Sequence, residues 1–322
     1  MSTAPTLDPQ AAAHLAASAG APGVASLSVP EARLVTLGYL DLQRPAPVLA
    51  QVEHRFIPGP TADLPIRIYR PVLASRPQPA IVVLHGSGWV ACNLDVVDEP
   101  ARVLARDTGF VVITVNYQKA PEHRFPIPLD DCVATVRWVH THAAEIGVDA
   151  ARIALVGDSA GGNLAAAATA ELVRDGLPVA AQALLYPALD RRMDSPSYAE
   201  FARGYGLDDR DMAWFWNHYV DVSCGDDPRV SPLAAADLTG LPTTFIATAG
   251  HDVLRDEGER YAARLRENAV PVRSLRYAGM IHGFWWMDGV LDGSRTLQTD
   301  LAEFLRGAIG DQAAARAAAT AS

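Results

Sequence analysis

The sequence predicts an α/β fold built on a mostly parallel, doubly wound sheet, and three observations predict it. From residue 80 onward, short β-branched runs alternate with longer stretches of helical period, the pattern left when each strand is followed by a crossover helix. Ahead of that alternation, two β-rich runs at 52–57 and 66–69 flank a turn region containing Pro and Gly, which suits an antiparallel edge. The composition, 322 residues with 49% hydrophobic and 20% charged, is ordinary for a globular chain and is enough for a large core.

In chain order, the predicted strands after that edge are 80–84, 110–116, 153–156, 183–186, 244–249 and 272–277. The predicted helices between and after them are 97–106, 129–142, 162–174, 256–267 and 294–309. Two segments break the alternation: residues 1–52, and residues 189–222 with the aromatic-rich helix Met212-Ala213-Trp214-Phe215-Trp216-Asn217-His218-Tyr219. Together they are read as a cap, although ordinary core packing is the simpler account of any single aromatic there. The core is then 53–188 and 223–310, and the Ala-rich tail 311–322 is expected to fray.

Charge and cysteine usage exclude several classes. The net charge is −10 and no run of Lys or Arg occurs, so neither nucleic acid nor an anionic membrane is an expected partner. No apolar run reaches the roughly 18 residues that span a bilayer, and the first 28 residues lack the pattern of a targeting segment; a cytoplasmic protein is expected. Cys92, Cys132 and Cys224 fit neither a disulfide framework nor a zinc pattern.

Gly157-Asp158-Ser159-Ala160-Gly161 follows a predicted buried strand and opens a helix, which is where a strained strand-to-helix turn can present a serine. The turn sets Ser159 at a helix N-terminus, whose N–H groups face developing negative charge. A hydroxyl is a weak nucleophile, so a base must take its proton and a third group must fix the base's tautomer. Asp252 comes directly after the strand 244–249 and His282 just after 272–277, so both would reach the carboxyl edge beside Ser159 in the chain order Ser, Asp, His. Asp256 and Glu257 are rival acids that more naturally sit at the start of the following helix. His85-Gly86-Ser87-Gly88-Trp89 stands after the strand 80–84, where an oxyanion loop belongs. The same loop matches a loose dinucleotide fingerprint, but Asn116 replaces the acid expected at the end of the next strand.

With these motifs the chain resembles the hormone-sensitive lipase family of α/β-hydrolase esterases, which includes the arylacetamide-deacetylase-like enzymes. The resemblance also rests on Asn116-Tyr117-Gln118-Lys119-Ala120-Pro121-Glu122-His123, on Asp227-Pro228-Arg229-Val230-Ser231-Pro232-Leu233, on His251-Asp252-Val253-Leu254-Arg255-Asp256-Glu257-Gly258, and on His282-Gly283-Phe284. It implies an α/β-hydrolase core under a helical cap, hydrolysis of short-chain esters through an acyl-enzyme, a small-molecule ester as partner, and no metal or cofactor. It further implies oxyanion donors from the backbone of Ser87, Gly88 and Ala160. Ser87 departs from the glycine-rich pattern: at positive φ it would carry about 1 kcal/mol of strain, otherwise its hydroxyl would be an extra donor. Glu122 is expected to hold this loop by hydrogen bonds. Trp89, Tyr205, Phe215, Phe284 and Trp285 are candidate walls of the substrate pocket.

Two other readings stay open on the same fold: an amidase or deacetylase using the same three residues, and a non-catalytic small-molecule-binding protein like the plant gibberellin receptors, which lack the histidine present here at 282. A homodimer pairing along the last strand, 272–277, is a further expectation, because exposed strand edges invite pairing.

Overall fold

The computed structural model describes residues 6–310, so the tail 311–322 lies outside the described residues. Eight strands form one sheet in the order β1-β2-β4-β3-β5-β6-β7-β8. β1 (Gln51–Ile57) and β2 (Leu64–Arg70) run antiparallel to each other, and β2 runs antiparallel to β4 (Val111–Val115). β3 (Gln78–Leu84), β5 (Val148–Asp158), β6 (Ala181–Leu185), β7 (Thr243–His251) and β8 (Val272–Ile281) join β4 in a parallel array. The chain steps from β3 to β4 in one direction and then crosses back to β5 in the other. The loops leaving β3 and β5 therefore flank the point at which the winding reverses, where open α/β sheets bind their ligands.

Alternation along the strands divides the core in two. Ala80, Val82 and Leu84 of β3 face one layer, in which Leu129, Leu164 and Leu265 come from α4 (Ile127–Thr141), α5 (Ala160–Arg174) and α8 (Arg255–Glu267). Ile81 and Val83 face the other, which holds Leu104 of α3 (Asp98–Thr108) and Leu297 and Leu301 of α9 (Asp292–Leu305). Strand residues of period two with apolar groups on both faces are what a sheet covered on both sides requires. Each such Val or Leu contributes about 1.5–3 kcal/mol by leaving water.

Some strands outrun the pattern. β5 begins at Val148, five residues early, because Val148 pairs with Gln78 ahead of an irregularity in the register. β8 continues to Ile281, beyond the expected 277, and its pairing with β7 shifts between Ala249 and His251. Gly250 sits at that irregularity, where a Cβ would strike the carbonyl of Ala278. The bulge is what carries β8 far enough to deliver residue 282 to the carboxyl edge.

The segments outside the alternation meet over that edge. α1 (Pro9–Ala17) is pinned to β8 by the Asp8 N–H, which donates to the Gly279 carbonyl at 3.0 Å, and to α9 by the Asp292 N–H, which donates to the Gln10 side chain at 2.8 Å. α2 (Val29–Thr36) starts at a capping box of Ser28 and Glu31 with Pro30 in its first turn. α6 (Pro196–Glu200) and α7 (Asp209–Tyr219) come from the second segment. Buried Asp211 of α7 accepts the Ala25 N–H at 2.8 Å, which joins the N-terminal segment to α7 directly.

Candidate active site

β5 ends at Asp158 and α5 begins at Ala160, leaving Ser159 alone to make the reversal at φ 54°, ψ −121°. Such a conformation costs a side-chain-bearing residue about 1–3 kcal/mol and persists only where the surroundings enforce it. Here a Cβ at Gly157 would run into the Gly161 carbonyl, and one at Gly161 into the carbonyl of Leu84. The Ser159 N–H donates to the Leu185 carbonyl at 2.8 Å, anchoring the turn to β6.

The next two residues reach the serine from the ends of β7 and β8. Ser159 Oγ lies 2.9 Å from His282 Nε2, and His282 Nδ1 lies 2.8 Å from Asp252 Oδ2. The other Asp252 oxygen accepts the Leu254 N–H at 2.9 Å, which fixes the carboxylate. With the carboxylate taking the Nδ1 hydrogen, Nε2 is left to accept from the hydroxyl. The Asp252 side chain is fully buried and that of His282 is 11% exposed, so the imidazole can meet a ligand while the carboxylate cannot. Tyr186 sets its ring edge-on to His282, with centroids 4.8 Å apart. Of the rival acids, Asp256 accepts the Ser197 N–H, and Glu257 accepts the N–H groups of Leu189 and Asp190; neither is bonded to His282.

The loop after β3 stands beside Ser159. Ser87, Gly88 and Trp89 have φ of 78°, 62° and 61°, so the serine occupies the left-handed region and carries the strain that the sequence left undecided. The root of the loop is tied to the core. Gly86 donates its N–H to Asp158 Oδ1 at 2.9 Å, and the Tyr117 hydroxyl donates to the His85 carbonyl at 2.8 Å. Burial, aided by Lys119, pushes the His85 imidazole down to about 3, so it remains neutral in its stack on Tyr117. The indole of Trp89 lies parallel to Tyr219 of α7 at 4.4 Å, and the Phe215 ring occupies the space where a Gly88 side chain would be. Glu122 does not hold the loop itself. It is exposed and pairs with Arg33 of α2 at 2.6 Å, and it is Arg33 that reaches the Val90 and Ala120 carbonyls.

A mostly apolar cavity of about 460 Å³ opens above Ser159 and His282, closed by both of the segments that fall outside the sheet pattern. Trp89 and Phe215 line it; Tyr205, Phe284 and Trp285 do not. Tyr205 stacks on His251 and meets Phe201 edge-on. Phe284 and Trp285 are fully buried in the core layer that contains α3 and α9, because residues 284–286 form one 3₁₀ turn whose successive side chains point in different directions. That turn gives the cavity Trp286 instead, with Tyr39 edge-on to it at 5.0 Å. Leu42, Val35, Thr36 and Met212 are further walls that the sequence did not single out.

A profile of the α/β-hydrolase fold family matches residues 81–286. The carboxylic ester hydrolase LipN of Mycobacterium tuberculosis is 41% identical over 260 residues, covering 78% of this chain and 68% of its own length. An arylesterase of Saccharolobus solfataricus is 38% identical over 228 residues, which is 69% of this chain and 73% of that protein. Among solved structures, a thermostable esterase from Pseudomonas putida superimposes with a TM-score of 0.91 at 32% identity, covering 96% of this chain and 99% of its own. An α/β-hydrolase enzyme from the metagenome of Lake Arreo does so with the same TM-score at 36% identity, over 95% of this chain and 99% of its own.

Proposed function

Because the chain belongs to the α/β-hydrolase family, in its hormone-sensitive-lipase-like branch, and is a serine carboxylesterase, we propose that it cleaves short-chain acyl esters with Ser159 as nucleophile, His282 as general base and Asp252 as orienting acid. The observation that carries this reading is the unbroken line of hydrogen bonds from Ser159 through His282 to Asp252 at the floor of the apolar cavity.

Ser159 Oγ attacks the ester carbonyl while His282 Nε2 takes its proton. The oxyanion that forms is received by the N–H groups of Ser87, Gly88 and Ala160, the last at the N-terminus of α5. His282 then returns the proton to the departing alkoxide, leaving an acyl-enzyme. Water attacks that ester through the same base, and the acid departs. Asp252 keeps Nε2 unprotonated in the resting state and stabilises the imidazolium as it forms. The two segments outside the alternation act together as a cap, and the ring of Phe215 beside Gly88 favours small acyl groups.

Hydrolysis of p-nitrophenyl acetate and butyrate by the wild type beside Ser159→Ala tests the reading. Turnover lost in the variant supports it, and turnover that survives the substitution removes Ser159 as nucleophile. A higher kcat/KM on decanoyl than on butanoyl esters would refute the short-chain preference. Two copies pairing along β8, an outer strand of the sheet, would double the mass in light scattering, and a monomer mass rules that pairing out.

A further inference from the structure

Three consecutive left-handed residues, two of them bearing side chains, make the Ser87–Trp89 turn a conformation that its surroundings must impose. Its root is held by the core through Asp158 and Tyr117, as described above. Its tip is held from outside the sheet, by α2. Thr36 Oγ1 lies 3.3 Å from Ser87 Oγ, and one turn earlier Arg33 donates from Nε to the Val90 carbonyl at 2.9 Å and from Nη2 to the Ala120 carbonyl at 3.1 Å. Glu122 grips the same guanidinium through both oxygens, at 2.9 and 2.6 Å, and so fixes the direction of its fork.

The hydroxyl pair has a defined polarity. Thr36 Oγ1 is 3.0 Å from the Ala32 carbonyl, one helical turn back, and donates its hydrogen there. Having one hydrogen, it meets Ser87 only as an acceptor, so Ser87 is the donor. The Ser87 hydroxyl hydrogen is thus directed at α2. What Ser87 offers to a substrate is its backbone N–H.

We propose that Thr36 and Arg33 are positioning residues for ester hydrolysis: α2 clamps the Ser87–Trp89 turn, and the Ser87–Thr36 hydroxyl pair keeps the turn's N–H groups aimed at the oxyanion. The proposal rests on the reading of Ser87 and Gly88 as oxyanion donors. The serine at a strained position then has a use that glycine could not supply, because its side chain is the handle by which the cap helix holds the loop. Seating of α2 and alignment of the oxyanion donors become one event.

The test is the split between kcat and KM on p-nitrophenyl butyrate for Thr36→Val, Thr36→Ser and Ser87→Gly, and for Thr36→Val in the Ser87→Gly background. Thr36→Val is expected to lower kcat about tenfold with KM within about twofold, less than the roughly 10²–10³-fold that follows loss of a whole oxyanion donor. Thr36→Ser keeps the acceptor and should return kcat to within about twofold of wild type, and in the Ser87→Gly background Thr36→Val should change kcat less than about twofold, because the coupled partner is gone. A change in KM alone, an equal loss in both backgrounds, or no loss would overturn the proposal. Should thermal unfolding show that Thr36→Val is not folded, Arg33→Lys, which keeps the charge but not the fork, replaces it: a kcat-specific loss supports the clamp and an unchanged kcat overturns it. The parallel Ser159→Ala measurement keeps the two ideas apart. Turnover surviving in Ser159→Ala defeats the underlying mechanism, whereas an inactive Ser159→Ala beside an unaffected Thr36→Val defeats only the clamp.

Discussion

Asp158 Oδ1 accepts the Gly86 N–H at 2.9 Å, so the residue preceding Ser159 is bonded to the loop that follows β3. The carboxyl is buried, and that burial raises it from the usual 3.8 to about 7 against the opposing pulls of the Gly86 N–H and His282. The folded chain therefore holds a proton that the unfolded chain releases. The stability associated with it is complete below about pH 4 and is lost as pH climbs through about 7. Asp158→Asn keeps an acceptor for Gly86 and carries no charge. Its melting temperature relative to wild type is expected to rise by a few degrees between about pH 5 and about pH 8, and a constant offset across that range would show that Asp158 is not the titrating group.

Gly161 has no room for a side chain because the carbonyl of Leu84 already occupies it. Gly161→Ala must push β3 from α5 and is expected to cost about 3 kcal/mol, or about 4 °C in melting temperature, when measured by calorimetry. Gly307→Ala, with open space around it, is the control and should stay within about 0.5 kcal/mol of wild type.

Asp252→Asn leaves an amide where the imidazole needs an acceptor for its Nδ1 hydrogen. If His282 is the base proposed above, the tautomer then reverses, Nε2 carries the proton, and it can no longer accept from Ser159. Steady-state kinetics should show kcat reduced about 10³–10⁴-fold with KM little changed, and a loss below about tenfold would point to another acid.

The Phe215 ring fills the space beside Gly88 into which a Cβ would project. Phe215→Ala opens that side of the cavity and should raise the ratio of octanoyl to butanoyl kcat/KM by about tenfold, within the discrimination that one or two methylenes supply. An unchanged ratio would place the acyl chain elsewhere in the cavity.

The parts of this protein that were legible in its sequence are those governed by local rules. The turn at Gly157–Gly161 admits few residue types, Asp252 follows a strand whose mostly apolar run announces it, and His282 follows a shorter β-rich stretch at 272–277. The last residues of β8 were not legible, because Ala278 and Gly279 have little strand preference and fall in the register irregularity between the pairs Ala249–Tyr277 and His251–Ile281. Glu122 was expected at the oxyanion loop and is bonded to Arg33, 89 positions earlier in the chain, a partner that no local pattern signals. Trp89 and Phe215 line the cavity as expected, whereas Phe284 and Trp285 do not, for a geometric reason. In the run Phe284-Trp285-Trp286, three residues complete one 3₁₀ turn, and composition cannot say which of three adjacent aromatics looks into the cavity.

The attachment of α1 to β8 and α9 orders events during synthesis. Gln10 waits 282 positions for Asp292, and Asp8 cannot bond before Gly279 exists. The strand carrying the serine turn can pair with β3 long before then, but His282, its partner Asp252 and the seated α1 all require the final third of the chain. A ribosome-bound fragment ending anywhere short of β8 would therefore carry a shaped serine with no partner to ionise it. If Ser159, His282 and Asp252 act as proposed, esterase activity is expected only once residue 282 beyond β8 has been made.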